Sequence, residues 1–200
     1  MKIVYATIVA FALPITLIAQ PPQPPANLVG SPISTVFWAR TMAYQRNLAQ
    51  AFDSIPESKF GYKPTPAQQS IGYVAQHLAN DNYFFCNGFG AMKGTRPAGD
   101  TATADSVKAT WPKSQLVTKL KESFAFCESA FTQITDAKLA ENTTIQFGRN
   151  PPREQPRAAM VLGHVTDMAE HYSQIANYMR LNNMLPPTAL PRPPRPAGGP

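Results

Sequence analysis

The sequence predicts an all-α protein, a four-helix bundle preceded by a signal peptide and followed by a proline-rich C-terminal tail. Three observations predict it. Of the 21 prolines, 14 cluster at 21–25, 151–156 and 186–200, leaving long windows in which helices can run. Within those windows apolar residues recur at three- and four-residue steps, and strand-like alternation never extends beyond a few residues. The chain begins with Lys2 and an apolar run over 3–19, then turns abruptly polar and proline-rich at Gln20.

The apolar start is read as a signal peptide over residues 1–19, because Pro14 interrupts it and a single basic residue precedes it. Ala19 suits the end of a leader, whereas Leu17 is larger than the residue usually found two positions earlier. An uncleaved anchor therefore stays open. A cleaved leader places the mature protein in the periplasm or outside the cell, with no stable membrane partner. Residues 20–31 read as a proline-rich linker, 32–187 as one domain, and 188–200 as a disordered tail.

Helices are expected from 34 or 35 to about 52, from 67 to 85, from 114 to 134 and from 157 to 184, with a short turn around 104–110. In the first, Val36, Ala39, Ala43, Leu48 and Phe52 form the candidate core stripe. In the third it is Leu116, Leu120, Phe124, Cys127 and Phe131. The connector ENTTIQFGRNPPREQP carries no clear periodicity. No internal repeat is evident.

The net charge of +6 is scattered, without the dense basic stripe and interleaved aromatics of a nucleic-acid surface, so no nucleic-acid partner is expected. No phosphate-binding glycine loop or serine elbow is present. The two cysteines, Cys86 and Cys127, are expected to pair if the chain is exported. Closing that loop would stabilise the fold by roughly 4 kcal/mol. Two separately buried thiols are the alternative.

The three histidines, His77, His164 and His171, all fall on predicted helices beside core-facing positions. In the last helix Met160, His164, Asp167, His171, Gln174 and Tyr178 form one stripe at steps of three and four. It borders the apolar stripe Val161, Val165, Met168, Tyr172, Ile175 and Met179. Buried imidazoles and carboxylates cost several kcal/mol unless hydrogen-bonded, paired or bound to metal. Asp167 and His171, one turn apart, can reach one ion, and His77 can supply a third ligand. Two histidines and a carboxylate suit iron, zinc or manganese. His164 lies two turns from His171 and is assigned a supporting or substrate-facing place. Asp81, one turn after His77, can accept the other N–H of that imidazole. The bland alternative makes all of them hydrogen-bonded core residues of a metal-free binding or structural module.

The stretch SIPESKFGYKPTPAQQSIGYVAQHLAND and the later LGHVTDMAEHYSQIANYMRLNNMLPP resemble the DinB-like (DinB/YfiT-type) family of four-helix bundles, over most of 33–187. The resemblance implies a divalent metal, often zinc or nickel, held by three histidines: one on the second helix and two spaced by four on the last. By position these are His77, Asp167 and His171, so an aspartate replaces the middle histidine and alters the donor set. It also implies kinship with thiol-dependent transferases and a maleylpyruvate isomerase. An exported member would seldom meet cytosolic thiols. The expectation is therefore an exported protein that binds a divalent metal ion and acts as a metal-dependent hydrolase or transferase on an unknown small molecule. A homodimer is left open.

Overall fold

The computed structural model describes residues 23–191, so the expected signal peptide and most of the tail lie outside the described residues. Seven α-helices and one two-stranded hairpin follow in chain order.

α1 spans Pro32–Ser54. Proline suits its first turn, where an N–H would lack an intrahelical partner. The free N–H groups of Ile33 and Ser34 donate to the Asp136 carboxylate at 3.2 and 2.8 Å, which places negative charge at the helix start. The buried face is Ser34, Trp38, Thr41, Met42, Gln45, Leu48, Ala51 and Phe52. Val36 is 60% exposed, correcting the expected stripe in the first turns, because three of the inward positions carry polar residues and blur the apolar period.

α2 spans Ile71–Cys86. It starts four residues later than expected because Ser70 Oγ caps it, accepting from the Tyr73 N–H at 3.2 Å. Gly72 permits close packing: a Cβ there would stand 2.3 Å from the Ala109 carbonyl oxygen. The expected turn at 104–110 resolves into the short helices α3 (Ala98–Ala102) and α4 (Asp105–Lys108). α5 runs over Lys113–Phe131, and its expected stripe is buried. α6 is a single turn, Asp136–Leu139.

The connector holds an antiparallel hairpin, β1 (Asn142–Ile145) with β2 (Arg153–Pro156), in the register Thr143 opposite Gln155. It is a small departure from a purely helical fold, which four-residue strands could not announce by alternation. α7 spans Arg157–Leu181. It stops three residues before the expected end because Asn183 adopts a left-handed φ of 57°. The Met184 and Asn183 N–H groups then donate to the carbonyls of Met179 and Arg180, the paired pattern that closes a helix.

α2 packs against α5 and α7, and α1 against α7 and α5, which closes the bundle. One core cluster gathers Phe52, Ile71, Leu78, Leu120, Ile175 and Tyr178; a second gathers Leu28, Trp38, Phe89, Phe131, Met160 and Val161. Each large apolar side chain so buried contributes about 1.5–3 kcal/mol. Cys86 and Cys127 form a disulfide joining α2 to α5, with Cα atoms 5.3 Å apart.

Both flanks of the domain reach further than expected. Leu28 is buried and Asn27 donates to the carbonyls of Phe131 and Ile134 at 3.3 and 2.7 Å, so part of the expected linker caps the end of α5. Thr188 accepts from the Tyr172 hydroxyl at 2.8 Å, holding the first tail residues on α1 and α7. Among the described residues no helix is long and apolar enough to cross a membrane.

Candidate metal centre

The stripe on α7 lies as its spacing implies. Met160, His164 and Tyr178 are buried at its ends, and Asp167, His171 and Gln174 are half-buried between them. α2 runs alongside and presents His77 opposite His171, with ring centroids 4.9 Å apart in an edge-to-face arrangement. One ligand atom each from His77, Asp167 and His171 falls within 4.8 Å of the others. The structure therefore brings together two imidazoles and a carboxylate from stretches ninety residues apart in sequence.

The surroundings prepare these groups unequally. His171 Nδ1–H donates to Gln174 Oε1 at 3.0 Å, Gln174 Nε2 donates to the Tyr178 hydroxyl at 2.9 Å, and that hydroxyl donates to the Gln69 carbonyl at 3.1 Å. This chain turns Nε2 of His171 inward, 3.4 Å from Asp167 Oδ1. His77 Nε2 lies 3.2 Å from Asp81 Oδ2, and Tyr73 stacks on its ring at 6.0 Å. Asp81 thus stands where it accepts the imidazole N–H and leaves the other ring nitrogen free.

Burial is the largest influence on each group. It lowers the pKa of His77, helped by the charge of His171 and opposed by Asp167 and Asp105. It pushes the Asp81 carboxyl up to about 7, helped by the charge of Asp167. For His171 burial disfavours the charged form, but the Asp167 carboxylate and the Gln174 amide oxygen outweigh it and raise the pKa. The positive charge so favoured on His171 stands beside the carboxylates of Asp167 and Asp81.

Two observations fit a cation. Asp167 Oδ2 is buried and, among the described residues, has no hydrogen-bond partner. A buried carboxylate oxygen without a partner costs about 1–3 kcal/mol or more, a penalty that coordination removes. The donor set of two imidazole nitrogens and one carboxylate oxygen suits a divalent transition metal with positions left for other ligands. Cavities of about 770 Å³, which Tyr73 borders, and about 440 Å³, which Gln174 and Tyr178 border, flank the neighbouring residues.

His164 lies elsewhere. It is fully buried, and its Nε2–H donates to Asn82 Oδ1 at 2.9 Å while Asn82 Nδ2 donates to Ser123 Oγ at 2.8 Å. Its ring meets Phe85 and Phe89, and one of its nitrogens lies near the Cys86–Cys127 bridge. A side chain so enclosed has no open face, and of the two places read from the sequence, supporting or substrate-facing, its burial accords with the first. Burial lowers its pKa to about 4, against the opposing pull of Asp167. Asp105, near enough to His77 to influence its pKa, gave no signal in the sequence because a one-turn helix brings it there.

The family description "DinB superfamily" matches residues 42–175, which include all three candidate ligands and both cysteines. The chain belongs to the DinB superfamily. Among solved structures, a DinB-like protein from Bacillus cereus ATCC 10987 superposes with a TM-score of 0.55 at 16% identity, over 72% of this chain and 89% of that one. The mycothiol-dependent maleylpyruvate isomerase superposes with a TM-score of 0.56 at 12% identity, over 71% of this chain and 60% of that one. A point mutant of that isomerase matches equally well at 11% identity. At these identities the likeness is one of fold. No curated protein sequence matches significantly. For this DinB-superfamily member kinship therefore gives the fold, and any chemistry is argued from its own residues.

Proposed function

We propose that the protein is an exported DinB-superfamily metalloprotein that holds one divalent cation between α2 and α7 through His77, Asp167 and His171, and uses it in a hydrolase or transferase reaction on a small molecule. The observation that carries this reading is the gathering of His77, Asp167 and His171 within 4.8 Å, with one oxygen of that carboxylate buried and unpartnered. When bound, a divalent cation supplies Lewis acidity toward an oxygen of water or substrate. Gln174 fixes the tautomer and direction of His171, Asp81 orients His77, and the half-buried setting limits water around the pair. The disulfide supports export, since such bonds persist in oxidising compartments. Export in turn disfavours use of a cytosolic thiol, so the isomerase's mycothiol dependence is not carried over.

Metal analysis of protein purified without chelator tests the reading. Near-stoichiometric metal is expected in the wild type and its loss in both His77→Ala and His171→Ala. Absence of binding after incubation with zinc, nickel, iron(II) and manganese sinks it. The closed chain from His171 through Gln174 and Tyr178 to Gln69 favours a second reading, a metal-free module whose polar core is satisfied internally. That reading requires the wild type and both variants to be alike in metal content.

A further inference from the structure

Several buried charges in this protein answer one another: Asp100, Lys108 and Lys119, enclosed around α3 and α4, form a mutual ion cluster. His164 has no such counterpart. The group it stands beside is the Cys86–Cys127 bridge: one ring nitrogen and the two sulfurs lie within 4.8 Å of one another, and all three side chains are 0% exposed. They come from α7, α2 and α5, so closure of the bundle is what gathers them.

Hydrogen bonding fixes the state of the imidazole. Ser123 Oγ donates its one proton to the Leu120 carbonyl at 2.7 Å and therefore accepts from Asn82 Nδ2 at 2.8 Å. That turns Asn82 Oδ1 toward the ring, where it can only accept, so the proton in the 2.9 Å contact belongs to His164 Nε2. Nδ1 is left as a bare lone pair, fully buried and without a partner among the described residues. The disulfide has no proton to offer it. One ring nitrogen held by an outer acceptor and the other bare is the arrangement that presents a histidine to a metal.

Opening the bridge supplies the rest of a donor set. A dithiol reductant gives it two electrons and becomes a disulfide itself; the S–S bond breaks, each sulfur takes a proton, and a cation that binds then displaces both protons to solvent. Two thiolates and a neutral imidazole cancel the charge of a divalent ion, whereas a monovalent ion would leave net charge in a site closed to water. Sulfur and imidazole donors exclude the hard cations that prefer oxygen. We propose that the dithiol form of this chain binds a thiophilic divalent cation, of which zinc is the type, through Cys86 Sγ, Cys127 Sγ and His164 Nδ1, so that oxidation exchanges a buried structural metal for a disulfide. The fourth position of the ion keeps a water. Because the site is closed, the ion enters as the reduced chain folds, as structural zinc does, and not through a cavity. The site shares no residue with the His77, Asp167 and His171 set and does not depend on it.

The test uses the full mature chain carrying His77→Ala and His171→Ala, which removes that other set. The protein is unfolded, reduced with an excess of dithiol and refolded with zinc, and affinity is read by competition with a chromogenic chelator. One zinc per chain is expected in the reduced protein and none in the oxidised protein. Cobalt(II) in place of zinc should show a sulfur-to-metal charge-transfer band, lost in Cys127→Ser. Added His164→Gln should weaken binding by more than the roughly 10–100-fold that loss of an outer partner costs. The proposal is overturned if the reduced chain takes up no zinc, whether or not it is helical by circular dichroism. Equal affinity with His164→Gln, or cobalt bound without the sulfur band, overturns it as well. Wild-type oxidised protein that binds no metal would sink the first site alone and leave this one standing.

Discussion

Acidification should unfold this protein in part through one histidine. His164 is fully buried and its pKa falls to about 4 from an ordinary 6.5, because burial penalises the imidazolium and its Nδ1 has no partner among the described residues. The folded state therefore resists a proton that the unfolded chain accepts. Stability is unaffected above 6.5 and is lost progressively as the pH falls from there toward 4. A shift of that size, at about 1.4 kcal/mol per unit, is worth about 3 kcal/mol, a large share of the 5–15 kcal/mol typical of a domain. Asp81 works in the opposite sense in metal-free protein: its raised pKa favours the folded state at low pH, and that contribution is lost as the pH rises from 3.8 toward 7. The two are separated by comparing wild type with His164→Gln, because Asp81 contributes equally to both. Urea unfolding followed by circular dichroism at several pH values should show the wild type losing about 3 kcal/mol more than the variant between neutral pH and pH 4. Equal losses in the two proteins would refute the argument, whatever the variant's stability at neutral pH.

Reduction of the Cys86–Cys127 bridge, or the double change Cys86→Ala with Cys127→Ala, should lower stability by about 4 kcal/mol for a loop of this length, read from denaturant midpoints. An unchanged midpoint would show that the reduced chain is already constrained. Gly72→Ala places a methyl 2.3 Å from the Ala109 carbonyl oxygen, a backbone atom that cannot swing aside, and should cost about 1–3 kcal/mol in the same assay. Gln174→Leu removes the acceptor that orients His171 and should weaken metal affinity about 10–100-fold, measured by competition with a chromogenic chelator. Unaltered affinity would show that His171 is held by other contacts.

The long helices were legible because burial imposes a period on them. The stripe Leu116, Leu120, Phe124, Cys127 and Phe131 is buried throughout. The start of α1 carries no clear period because Ser34, Thr41 and Gln45 occupy core-facing positions, and polar residues there erase it. The hairpin leaves no mark in the sequence because four-residue strands provide too few alternations. The grouping of His77, Asp167 and His171 was legible because histidine is rare in this chain and helical spacing is rigid, so a four-residue step on α7 turns two side chains the same way. The cluster of Asp100, Lys108 and Lys119 was not legible. A lysine on a helix ordinarily reads as solvated, and only the folding back of α3 and α4 takes these charges out of water.

The exposed turn between β1 and β2, residues 146–152, divides the protein unevenly in its chemistry. Everything before it includes His77 and both cysteines; everything after it includes Asp167 and His171. A chain severed there would yield two pieces, one covalently braced and one a lone long helix, neither holding a complete ligand set. If the three hold an ion as proposed, its coordination would register the reunion of the halves, making this turn a natural place to convert the protein into a two-component sensor.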